Sequence, residues 1–109
     1  MRPVEFLGDS LDRLRLFPDS ARRDAGYQID RVQRGLAPDD WKPMKGIGSG
    51  VREIRIRGVA GAFRVIYIAA FAEAVYVLHA FQKKTQRTSR RDLTVAESRF
   101  RDLKQSRTK

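Results

Sequence analysis

The spacing of apolar residues changes twice along the 109-residue chain. Between residues 21 and 32, Ala21, Ala25, Ile29 and Val32 recur at intervals of four, four and three, which puts them on one stripe of a helix. This spacing predicts a helix from a cap at Asp19 or Ser20 to about Arg34, with Gly35 as its stop and Pro38 beyond. A shorter helix precedes it, capped by Asp9 or Ser10, beginning near Leu11 and carrying Leu11, Leu14 and Leu16. It ends at Phe17-Pro18, because the residue before a proline is pushed out of the helical region. Residues 9–35 therefore read as a helical hairpin.

At Val51 the period becomes two. Arg52, Ile54 and Ile56 fall on one side of a strand and Val51, Glu53, Arg55 and Arg57 on the other. A turn follows at Gly58–Gly61. Ala62–Ala70 and Ala74–Phe81 are dense in β-branched and aromatic residues and read as two further strands. Short connections between the three predict an antiparallel meander within residues 42–82. Val4–Leu7, within residues 1–8, fits a short edge strand. Helical spacing returns at Leu93, Ala96, Phe100 and Leu103, predicting a last helix over residues 89–104 that opens at Thr88 or Ser89. The tail QSRTK is expected to fray. The expected fold is α+β: an N-terminal helical hairpin packed on a twisted antiparallel sheet, with a basic C-terminal helix and the helices on one face. The length fits one domain over residues 1–109.

Composition narrows the function. The absence of cysteine excludes a disulfide framework, thiolate metal sites and cysteine nucleophiles, and a lone histidine argues against zinc. Asp39-Asp40 is too sparse for a cation cage. The stretch KGIGSG lacks the lysine and Ser/Thr ending of a phosphate loop. No cofactor or metal is expected. The N-terminus has no apolar signal region and no apolar run reaches the length of a membrane span, so a cytoplasmic protein without membrane contact is expected. The net charge of +10 is segregated. Residues 1–41 balance to −1, and residues 65–81 also come to −1. Residues 42–64 carry +5 and residues 82–109 carry +7. Two basic blocks on either side of an apolar stretch attract polyanions, of which nucleic acid is the commonest. A merely solubilising surface is the plainer alternative.

The candidate chemistry lies where the strands bring those blocks together. Arg55 and Arg57 leave the same face of one strand, Arg64 lies early in the next, and Lys83 and Lys84 follow the third. Strands about 4.8 Å apart can gather these side chains within about 10–15 Å. Arginine suits phosphate because its planar fork grips two oxygens. Arg64 interrupts an apolar strand, so it either pairs with Glu53 or Glu73 or lines a cleft meant for an anion. His79 reads as a packed ring or as a general acid or base. Phe81, Tyr67 and Trp41 each read as a stacking surface for a base or as a packing residue; packing is favoured for Tyr67, and closing the sheet edge over the helical hairpin for Trp41. Lys45, Arg52 and Arg87 complete the candidate RNA contacts.

These residues also carry a resemblance. The pieces KGIGSGVREIRIR, FRVIY and VLHAFQKKTQRT, followed by a helix opening near Asp92, resemble the phage-derived, HigB-type branch of the RelE superfamily of bacterial toxins. The resemblance is close over about 60 residues and looser over the helical hairpin. It implies a RelE-like fold and a type II toxin that cleaves mRNA, often at the ribosome. It also implies a cognate helix-turn-helix antitoxin, through which alone operator DNA would be bound. Carried over, Arg55 and Arg57 match the basic strand residues, Arg64 matches the arginine on the scissile phosphate, and Lys83, with Lys84 beside it, matches the basic residue after the last strand. RelE-type members place a tyrosine shortly afterwards, whereas this chain reads TQRTSRR and has none there.

The implied chemistry needs no metal. The ribose 2′-hydroxyl attacks the adjacent phosphorus, and fixed cations stabilise the charge that develops. Arg64 and Lys83 are assigned to the phosphate, Arg55 and Arg57 to the backbone, and Lys84 or His79 to proton transfer. On this reading, removing Arg64 abolishes growth arrest while the fold and most RNA affinity survive. Two rivals stand beside it. One is an RNA- or ribosome-binding module without catalysis; the other is a DNA-binding repressor, for which no helix-turn-helix pattern is present.

Overall fold

A computed structural model describes residues 1–108. The chain runs β1 (Val4–Phe6), α1 (Ser10–Arg15), α2 (Asp19–Gln33), β2 (Trp41–Pro43), β3 (Val51–Gly58), β4 (Gly61–Ile68), β5 (Val75–Lys83) and α3 (Arg90–Arg107). The strands form one five-stranded sheet in the order β1-β5-β4-β3-β2. The class is the α+β expected, but the sheet is mixed rather than antiparallel. The Val4–Leu7 strand pairs parallel to β5, Val4 beside Val75 and Phe6 beside Val77. The rest of the sheet is the predicted antiparallel meander with one strand added, β2, at its far edge. Only three residues long and ending in a proline, β2 was unreadable as a strand; proline is tolerated there because the edge needs no further ladder donor.

The alternation of β3 becomes two cores. Ile54 and Ile56 join Phe63, Val65, Tyr67, Val75, Val77 and Ala80 beneath α1 and α2. The helical stripe Ala21, Ala25, Ile29 and Val32 is buried there, together with Leu14 and Phe17. On the other face Val51, Ile66, Ile68, Leu78 and Phe81 pack against Ala96, Phe100 and Leu103 of α3. The helices therefore cover both faces, not one. A sheet whose strands are apolar on both sides needs a layer on each, and α3 supplies the second.

Several details depart from the sequence reading. Leu16 is 82% exposed and takes no part in the core of the first helix. The last helix runs through Gln105 and Ser106 to Arg107, beyond the end expected at residue 104, so the tail is helical rather than frayed. Lys109, the final tail residue, lies outside the described residues. The start of α3 is as expected: the Ser89 side chain accepts from the Asp92 backbone N–H. Among the described residues, no helix is long and apolar enough to cross a membrane.

One irregularity shapes the site. The register between β4 and β5 shifts between Ile66 and Tyr67, opposite His79 and Val77, so that Leu78 is left without a cross-strand partner. The carbonyl freed by this bulge accepts Nη1 of Arg99 at 2.9 Å, and Arg99 also grips Asp9 at 2.5 Å. Thus α3 is fastened to the sheet and to the start of α1 where the bulge would otherwise expose a polar group.

Candidate functional site

Strand register places the cations in rows. Arg55 faces Arg64, which faces Phe81; two residues along, Arg57 faces Ala62, which faces Lys83. Cross-strand partners share a face, so these six side chains lie on the α3 side of the sheet, beyond the N-terminus of α3. Ala62 is the small residue between two long cations. It forms the floor of an open concavity of about 440 Å³ lined by Arg57, Arg64, Lys83, Thr85 and Gln86 with the Gly58–Gly61 turn. A third row runs Lys42–Glu53–Ile66–His79.

Arg64 pairs with Glu53, the first alternative posed for it, and also borders the open concavity. It is 4% exposed, with Nε 3.5 Å from Oε1 of the buried Glu53 and Nη1 donating to the Phe63 carbonyl at 2.9 Å. Burial lowers its affinity for its proton, Glu53 opposes this, and Arg55 and Arg57 add to it. Arg55 stands over Asp40, Nη1 to Oδ1 3.9 Å, and its backbone N–H donates to the Asp40 carbonyl. Arg57 is exposed. The Lys83 pKa is lowered, first by desolvation and then by the positive charge of Arg64, against the opposing pull of Glu53, with Lys42 and Arg55 adding to the lowering. These groups act on one another electrostatically, as expected for a single cluster.

The remaining candidates lie elsewhere. Lys84 points to the opposite side of the strand end, into a hollow with Arg13, Phe17, Gln82 and Arg91. Arg52 faces α2, its guanidinium 4.1 Å from the centre of the Trp41 ring, so Trp41 closes the sheet edge as expected. Lys45 and Arg87 are exposed in loops outside the concavity. Phe81 is 4% exposed and stacks on His79, ring centres 5.1 Å apart, which makes it core rather than a platform for bases. Tyr67 is core too, its hydroxyl pKa raised by burial.

His79 takes the packed alternative. It is 1% exposed, and its Nε2 lies 2.7 Å from Oδ1 of Asp92. An ionised carboxylate only accepts, so Nε2 carries the hydrogen and Nδ1, buried without a partner, is the bare nitrogen. Burial lowers the His79 pKa from its ordinary 6.5, against the opposing pull of Asp92. Unfolding frees the ring to take up a proton near pH 6.5. The His79 contribution to stability is therefore complete above that pH and is lost as the pH falls from there through the lower folded value. The melting temperature is expected to fall between pH 7.5 and pH 5, and His79→Gln to flatten that part of the profile. An unchanged slope in the variant would count against this assignment.

The site also contains residues the sequence reading passed over. Lys42 reaches Glu53, Nζ to Oε1 3.9 Å, and the Thr88 hydroxyl donates to Glu53 Oε2 at 3.0 Å. Lys42 could have been found from its charge only by someone who knew that β2 exists. Glu53, two residues before Arg55 on the same face, was visible as a partner of Arg64 but not as the centre of the group. Among the described residues, no three His, Asp or Glu side chains gather to hold a metal ion.

A model of the family described as phage-derived protein Gp49-like (DUF891) matches residues 12–101, from α1 to α3. No curated protein matches the chain.

Proposed function

Because the chain belongs to the Gp49-like phage-derived family, a family of RelE-like and toxin-like proteins, we propose that it is the toxin of a type II toxin–antitoxin pair and cleaves mRNA. The observation that carries this reading is the set of three cations, Arg57, Arg64 and Lys83, lining one open concavity at the hairpin end of the sheet, with Arg55 opposite Arg64 on the same face just outside it. Its width of two strand spacings, roughly 10 Å, accommodates one phosphodiester and its flanking riboses.

In the proposed reaction the ribose 2′-oxygen forms a bond to phosphorus and the bond from phosphorus to the 5′-oxygen breaks. A 2′,3′-cyclic phosphate and a 5′-hydroxyl result. The 2′ proton goes to a base, and the departing 5′-oxygen takes a proton from solvent water. Arg64 stabilises the charge on the phosphoryl oxygens, joined by Lys83 once it has taken up the 2′ proton, while Arg57 and Arg55 hold the backbone. Of the proton-transfer candidates, His79 is sealed in the core and Lys84 faces away. Lys83, with its lowered pKa and its place in the concavity, is the better base. The partners in this reading are mRNA, with the ribosome as the expected setting, and a helix-turn-helix antitoxin encoded beside the chain.

The near-burial of Arg64 favours a second reading, RNA binding without cleavage, in which the Arg64–Glu53 pair is only structural. One assay separates the two. Purified protein is incubated with an RNA and with its all-deoxy counterpart, in excess EDTA, with and without ribosomes. Cleavage of the RNA alone, undiminished by EDTA, is expected. Cutting of the DNA, or loss of cutting in EDTA, would refute the mechanism; intact RNA in every arm would leave the binding module.

A further inference from the structure

Glu53 is an acidic residue at the heart of a cationic site, and it is completely buried. One carboxylate oxygen accepts the Thr88 hydroxyl at 3.0 Å. The other stands 3.5 Å from Arg64 Nε and 3.9 Å from Lys42 Nζ, within ion-pair reach of both but hydrogen-bonded to neither. Its neighbours two residues away on the same face are Val51, which is core, and Arg55, which is in the site. Removing a carboxylate from water carries a desolvation penalty that an aliphatic residue would avoid, so stability alone does not account for Glu53.

We propose that Glu53 is a positioning residue of the phosphate site. It pulls the Arg64 guanidinium back from solvent and fixes its direction, and through Thr88 it ties the segment leading into α3 to the same point. Its negative charge also offsets part of the positive charge of Lys42 and Arg64, the two cations within ion-pair reach of it, so that the site does not hold RNA too tightly in the ground state. Binding that is equal in ground and transition states adds nothing to turnover, whereas a correctly aimed guanidinium does. This inference rests on the reading of the cluster as a phosphate site.

Glu53→Gln is the informative change, because the amide keeps the size of the side chain and an oxygen for Thr88 while removing the charge. RNA affinity is expected to rise roughly 3- to 10-fold, as expected when a negative charge leaves a cationic site. Turnover, in contrast, is expected to fall about 100-fold, the usual cost of a misplaced catalytic group. A purely structural role would lower both together. Binding is measured with an uncleavable 2′-O-methyl RNA, turnover with the corresponding RNA. Thr88→Val, which leaves the charge in place, is expected to lower turnover about 5-fold with affinity unchanged, and it serves if Glu53→Gln does not fold. Absence of cleavage by the unaltered protein would count against the ribonuclease reading alone. Binding curves of Glu53→Gln that superimpose on those of the unaltered protein would overturn the role of Glu53, as would unchanged turnover in a folded variant of either residue.

Discussion

Arg64→Ala is expected to stop RNA cleavage and also to weaken the fold by about 3–5 kcal/mol, because it leaves the buried Glu53 carboxylate short of its nearer cation. The sequence alone suggested that the fold would survive this change intact. The pairing with Glu53 revises that expectation, since Lys42, at 3.9 Å and partly exposed, is a weaker substitute. The double variant Arg64→Ala, Glu53→Gln removes the orphaned charge. It is expected to regain more than half of the lost stability and none of the activity. Urea unfolding measures the first effect; mapping of mRNA ends after induction, with and without the adjacent gene, measures the second. Recovery of cleavage in the double variant would show that Arg64 does not act on the phosphate. Equal instability of the single and double variants would show that the pair is not energetically coupled.

Phe100→Ala is expected to destabilise the protein by about 3–5 kcal/mol, the range for an aromatic ring removed from a core. Phe100 is 6% exposed and is the largest side chain that α3 contributes to its side of the sheet. The ring also lies directly against the backbone of Gly48, where a Cβ would stand 2.1 Å from the ring edge. The site would feel the loss, because the first turn of α3 is tied to the core by Asp92 on His79, and the segment leading into it is tied to the site by Thr88 on Glu53. Equilibrium unfolding, with hydrogen exchange along α3, reads both consequences. A loss below 1 kcal/mol would mean that α3 is held chiefly by Arg99 and its ion pair with Asp9.

Some of the molecule was legible in advance for simple reasons. The stripe Ala21, Ala25, Ile29, Val32 and the alternation of β3 are local periodicities, and a periodicity survives whatever else the chain packs against. The Gly58–Gly61 turn and the Ser89 cap are local chemistry as well. The candidate site was half legible. That Arg55 and Arg57 share a face follows from strand period, and that Arg64 lies opposite Arg55 follows from a short hairpin. The candidacy of His79 and Lys84 for proton transfer, and of Phe81 and Arg52 for RNA contact, rested on residue type. Their direction, however, depends on the bulge at Leu78 and on which strand face each helix covers.

By itself the sequence determined the segregation of charge, the helical and strand segments, and the closeness of the arginines along the hairpin. All of these depend on residues near one another in the chain. Only the tertiary structure decided that β1 runs parallel beside β5, that α3 covers the second face, and that Lys42, Arg64 and Thr88 meet on Glu53. Each of those depends on register between distant segments, where a shift of one residue would turn every side chain to the other face.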